Sequence, residues 1–192
     1  MINKEKDIIK VLLENKTKEL NISNIAEIIK LDYKTVHNII QRLKQKKIIE
    51  LKSFGKSCKI ELINQFHPII FEAEYARREE ILRNKNLNLI LDYFKGLQTK
   101  LYILLLFGSY AKKTQTKESD IDLLFIVPDN DEKFESRIIN ISRTIPLKLH
   151  INIFKESEFI AMKYSKKITV GQEAINNNII LYGIENYYEI IK

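Results

Sequence analysis

Gly108-Ser109, then ten residues, then Asp120-Ile121-Asp122 is the spacing in this 192-residue chain that holds the most chemistry. A Gly-Ser pair at a strand-to-helix turn leaves backbone N–H groups without intrahelical partners, and such groups face anions. Two aspartates two positions apart at the start of a strand share one face of the pleat. Like charges that close need a cation between them. A phosphate cradle beside paired carboxylates suited to Mg²⁺ is minimal equipment for transferring a phosphoryl or nucleotidyl group.

The surrounding pattern shows which elements must carry these residues. The apolar runs 101–107 and 123–127 read as buried strands, and Tyr110 to Thr116 fits a short helix between them. Pro128-Asp129-Asn130 reads as a turn and helix N-cap, followed by a helix over 131–144 with Phe134, Ile138 and Ile141 on one face. Residues 147–154 alternate as a third strand whose polar face carries Lys148, His150 and Asn152. His150 there is either a neutral base or a half-exposed strand histidine. Asn152 either offers a carbonyl oxygen to Mg²⁺ or ends the strand face. Glu156 and Glu158 cap a helix over 156–164. The stretch from Gly171-Gln172-Glu173-Ala174-Ile175 through Ile179-Ile180-Leu181-Tyr182-Gly183 resembles the C-terminal helix and short strand of archaeal nucleotidyltransferase-domain proteins.

At the Gly-Ser and Asp-x-Asp residues the chain resembles the minimal nucleotidyltransferases of the DNA polymerase β superfamily, in which Gly-Ser is followed after ten residues by Asp-x-Asp. The resemblance implies in-line attack of an acceptor hydroxyl on the α-phosphate of ATP or another NTP, with pyrophosphate leaving. Asp120 and Asp122 would hold two Mg²⁺ ions, Gly108 and Ser109 the β- and γ-phosphates, and Lys112 or Lys113 would neutralise leaving charge. Lys113 stands where many members carry a second glycine. The superfamily's third carboxylate belongs on strand 147–154, whose polar face holds no acid. The resemblance further implies an antitoxin that adenylylates a HEPN ribonuclease toxin. A DNA-binding regulator with a degenerate, nucleotide-sensing transferase domain is the second expectation.

Charge divides the chain. Residues 1–66 hold 14 Lys and Arg against 8 Asp and Glu, whereas residues 67–192 hold 18 against 17, so nearly all of the net +7 lies in the first third. A basic small domain joined to a near-neutral larger one points to a nucleic-acid partner for the first. Its pattern is three amphipathic helices, one over 5–14, one N-capped at Ser23 and ending near Lys30, and one N-capped at Asp32 and ending near Lys46. A hairpin of strands 48–52 and 58–62 follows. This order resembles the winged helix-turn-helix of bacterial and archaeal regulators. The third helix would then read duplex DNA with Lys34, Thr35, His37 and Asn38, while Lys52, Lys56 and Lys59 of the wing would meet phosphates. Winged helices also dimerise, so a homodimer is expected as well.

The expected architecture is therefore α+β: a winged helix domain over 1–66, linker helices over 67–98, and a polymerase β-like transferase domain over 99–192 with a small mixed sheet flanked by helices. Pro68 suits a helix's first turn, and helices over 68–85 and 87–94 either join the domains or pack on the sheet. With no apolar leader and no run of membrane-spanning length, the expectation is a cytoplasmic protein without membrane contact. Cys58 is the single cysteine, which excludes an intrachain disulfide and a cysteine metal cluster.

Overall fold

A computed structural model describes residues 4–54, 57–97, 101–165 and 169–192. The chain divides into two compact units, Met1–Ala76 with Lys192 and Arg77–Ile191. The fold is α+β: a winged helix arrangement in the first unit and a mixed sheet flanked by helices in the second.

In the first unit, α1 (Lys4–Glu14), α2 (Ile22–Ile29) and α3 (Tyr33–Gln45) precede an antiparallel hairpin of β1 (Ile49–Phe54) and β2 (Ser57–Leu62). Apolar residues three and four apart bury one stripe of each helix: Ile8, Ile9 and Leu12 from α1, Ile25 from α2, and Val36, Ile39, Ile40 and Leu43 from α3. The N-cap of α2 is Asn21 rather than Ser23. Asn21 accepts from the Asn24 N–H at 2.9 Å while the Asn24 side chain accepts from the Asn21 N–H at 3.1 Å, satisfying two orphan donors at once. Asp32 does cap α3, accepting from the Thr35 N–H at 2.8 Å. Glu5 of α1 receives Lys46 at 2.9 Å and Arg42 at 3.2 Å, which ties α1 to the C-terminal end of α3. Cys58 lies exposed on β2.

α4 (Pro68–Ile81) runs across the division between the units. It stops at Ile81, short of residue 85, because Asn84 caps α5 (Lys85–Phe94) by accepting from the Asn86 N–H at 3.0 Å. A 3₁₀ turn, Lys95–Leu97, leads on to the sheet.

The second unit then runs β3 (Ile103–Leu106), α6 (Gly108–Ala111), β4 (Ile121–Val127), α7 (Glu132–Ser142), β5 (Leu149–Lys155), α8 (Glu156–Lys163), α9 (Val170–Asn176), β6 (Ile179–Tyr182) and α10 (Ile184–Ile190). Strand order is β5-β4-β3-β6, with β3 antiparallel to both neighbours and β4 parallel to β5. The central strands are apolar on both faces because both are covered. Leu104, Leu106, Leu123, Phe125 and Val127 share one core with Leu87, Ile90 and Phe94 of α5 and Phe134 and Ile138 of α7. α5 thus packs on the sheet, answering for this helix the alternative the sequence left open. Phe125 is fully buried between Phe94 and Tyr102, and truncating it to alanine would cost about 3–5 kcal/mol. Two local expectations shift. α7 is capped by Asp131, not Asn130, through the Phe134 N–H at 3.2 Å, and α10 is a helix the periodicity did not reveal. Glu158 closes the start of α8 by accepting from the Lys155 N–H at 2.9 Å.

Candidate functional site

β3 and β4 pair with Leu106 opposite Leu123, and the ladder's last bond runs from the Phe107 N–H to the Asp122 carbonyl at 3.1 Å. The chain must leave the sheet there, so Gly108 turns out beside Asp122. Gly108 has φ +65, a left-handed conformation natural to glycine. A Cβ at this position would overlap Asp122 Oδ2, so the missing side chain is what lets the carboxylate lie against the turn. The single-turn helix α6 begins at Gly108 itself rather than at Tyr110, placing Gly108 and Ser109 in its first positions.

A crossover through α7 returns the chain to β5, parallel to β4. Register sets His150 opposite Asp122, and the two side chains meet: His150 Nδ1 lies 3.0 Å from Asp122 Oδ1. A carboxylate only accepts, so Nδ1–H donates, and Nε2 has no partner among the described residues. Asp122 is 24% exposed at its side chain and His150 63%, so the pair opens to solvent on the imidazole side. Asn152, two residues on and on the same strand face, stands opposite Leu124; its Nδ2 is buried without a hydrogen-bond partner. Asp120, just before β4, is exposed and has no hydrogen bond or ion pair among the described residues. The structure therefore brings Gly108, Asp122 and His150 together, with Asp120 at the strand entrance and Asn152 one pleat repeat deeper.

Lys112 and Lys113 are both engaged by carboxylates. Lys112 Nζ is 3.0 Å from Glu173 of α9, and Lys113 Nζ is 2.9 Å from Glu80 of α4. Exposed pairs of this kind are each worth about 0–1 kcal/mol, so they orient the lysines without locking them. Lys113 also has φ +58, the left-handed region, at the position where the superfamily often has glycine. Glu80 and Glu173 escape sequence reading because they are 33 and 61 residues from their partners.

Asp122 against the Gly108 turn and Asp120 at the entrance to β4 are hard oxygen donors, the donor type that suits Mg²⁺. Among the described residues no three His, Cys, Asp or Glu side chains converge into a ready cage, and the β5 residue in register with Asp122 is an imidazole.

On the first unit, Lys34 and Asn38 are exposed on α3, whereas Thr35 is half-buried, its N–H on Asp32. His37 stacks on Tyr33 at 6.2 Å between ring centroids and meets Gln41 at 3.4 Å, so it is a fixed part of the helix surface. Lys52 and Lys59 of the wing are paired with Glu50 and Glu61, partners that strand alternation alone would have found. Lys56 lies outside the described residues. No helix among those residues is long and apolar enough to cross a membrane.

Comparison with solved structures finds MepR of Staphylococcus aureus, a transcription regulator of the multidrug efflux pump MepA. It is 18% identical over 50% of this chain and 78% of that one, with a TM-score of 0.36. The S. aureus MepR–DNA complex matches at 19% identity over 52% and 79%, with a TM-score of 0.33. Comparison with curated proteins gives no match. Residues 88–187 match the family described as "Polymerase beta, Nucleotidyltransferase". That span takes in the turn at Gly108, the carboxylates of Asp120 and Asp122 and the strand bearing His150, and the chain belongs to this nucleotidyltransferase family.

Proposed function

We propose that the protein is a Mg²⁺-dependent nucleotidyltransferase that moves AMP from ATP onto a hydroxyl of a protein or small acceptor. The observation that carries the reading is the junction of Gly108, Asp122 and His150, where a turn suited to phosphate, a carboxylate and an oriented imidazole meet. Asp120 and Asp122 would hold the metal, which when bound neutralises charge between triphosphate and carboxylates. Backbone N–H groups of Gly108 and Ser109 bind phosphate oxygens. Lys112 and Lys113 exchange Glu173 and Glu80 for the pyrophosphate as it leaves. The acceptor oxygen bonds to the α-phosphorus, the bond to the bridging oxygen breaks, and the acceptor's proton passes to His150 Nε2. Asp122 fixes His150 in the tautomer this requires. Asn152, one pleat repeat deeper on the same strand face, would offer its carbonyl oxygen to the metal.

Titration calorimetry of ATP with Mg²⁺ tests the reading: the wild type should bind, and Asp120→Asn/Asp122→Asn should not. Equal binding by that double variant would remove the two aspartates from the metal site. Transfer of labelled AMP to the product of the neighbouring gene then tests the acceptor, with a HEPN-type ribonuclease toxin expected and the protein acting as its antitoxin.

The first unit is read as a duplex DNA module. Support comes from its excess of positive charge and from α3, whose sequence contains Lys34, Arg42 and Lys44 and no acid. The imidazole opposite Asp122, in place of a carboxylate, favours a second reading in which the transferase unit senses nucleotide and the DNA module acts on that signal. Nucleotide binding without transfer to any acceptor would select it.

A further inference from the structure

The outer face of the β1–β2 hairpin is a closed charge ladder. Glu50 pairs in register with Glu61 and Lys52 with Lys59, and the two-residue repeat puts all four on one side of the hairpin. Lys52 Nζ lies 2.6 Å from Glu61 Oε2 and 3.0 Å from Glu50 Oε1, and Lys59 Nζ lies 2.8 Å from Glu61 Oε1. The two lysines and two glutamates cancel. Glu61 holds the Lys52 ammonium above its usual range, and Lys52 holds the Glu61 carboxyl below its own, as expected of mutual hydrogen bonding. α3 is built differently: Lys34 and Lys44 are exposed and have no ion pair among the described residues.

Resting on the DNA reading above, we propose that Glu50 and Glu61 keep Lys52 and Lys59 out of contact with DNA phosphates, so that α3 carries the duplex and the wing body attenuates affinity. A phosphate approaching Lys52 meets the two carboxylates already seated on it, and like charges oppose the approach. Phosphate contacts add affinity without sequence information, whereas contacts from a helix in the groove discriminate between bases. Withholding two lysines therefore weakens binding to all sequences alike and leaves α3 a larger share of the recognition.

The test is fluorescence anisotropy of the full chain with a labelled duplex from its own promoter, measured across a salt series. Glu50→Gln/Glu61→Gln should tighten binding at low salt and steepen the slope of log K against log salt by roughly 2, at about 0.9 per added phosphate contact. The charge-balanced variant Glu50→Gln/Lys52→Gln/Lys59→Gln/Glu61→Gln should keep the wild-type slope, because the ladder it removes makes no phosphate contact. An unchanged slope in the first variant, or a slope shallower by roughly 2 in the second, overturns the proposal while leaving DNA binding intact. No binding by any variant, wild type included, overturns the DNA reading itself.

Discussion

His150 faces Asp122 across the parallel β4–β5 pair, its Nδ1 3.0 Å from the carboxylate oxygen. This contact gives the imidazole a fixed orientation and an open Nε2. Replacing His150 with alanine should therefore lower the rate of AMP transfer by roughly 10²–10⁴-fold, the usual worth of general base catalysis. Nucleotide affinity, measured by calorimetry in the same variant, should stay near wild type. A lost rate with lost affinity would instead mean that His150 matters through the position of Asp122, and an unchanged rate would make it structural.

Gly108→Ala combines two faults at one atom. Its Cβ would overlap Asp122 Oδ2, and its backbone is left-handed at φ +65. The conformation alone costs about 1–2 kcal/mol for a residue with a Cβ. Denaturant unfolding should show at least that loss, and Mg²⁺–ATP binding should disappear because the carboxylate is pushed aside. Retained binding would show that Asp122 does not depend on the turn.

Lys113 holds a left-handed backbone at φ +58 without being glycine. Lys113→Gly removes that strain and gives up the exposed Glu80 pair, so it should be neutral or slightly stabilising. Lys113→Val should be less stable than Lys113→Gly by about 1–2 kcal/mol. Equal midpoints in urea would show that the turn relaxes out of the left-handed region.

Tyr102 is buried against Phe125, Phe134 and Tyr182, and burial pushes its phenol well above the ordinary tyrosine range. A group whose folded pKa is raised gives stability that is complete below its unfolded pKa, about 10, and is lost as pH climbs above it. The second unit should therefore weaken in alkali, and Tyr102→Phe should flatten that decline while changing little at neutral pH. Thermal midpoints against pH for both proteins decide it: parallel curves would assign the alkaline loss to other groups.

By itself the sequence determined what short-range rules govern. Helical stripes such as Val36, Ile39, Ile40 and Leu43, the cap at Asp32, and the two apolar runs around Gly108-Ser109 and Asp120-Ile121-Asp122 follow from periodicity and local hydrogen bonding. Those rules constrain caps more loosely, since Asn21 and Ser23 are both good caps and the reciprocal bonds with Asn24 choose the first. Only the tertiary structure decided which distant residues meet. Which β5 residue faces Asp122 depends on a register set across a crossover, between two residues 28 apart in sequence, and a shift of one residue would have put His150 on the other face of the sheet. The seats of Lys112 on Glu173 and of Lys113 on Glu80 depend likewise on how α9 and α4 are placed beside the turn. The chain thus writes the residue types of its candidate site locally, and sheet register and helix placement, fixed by burial of the shared core, decide which of them touch.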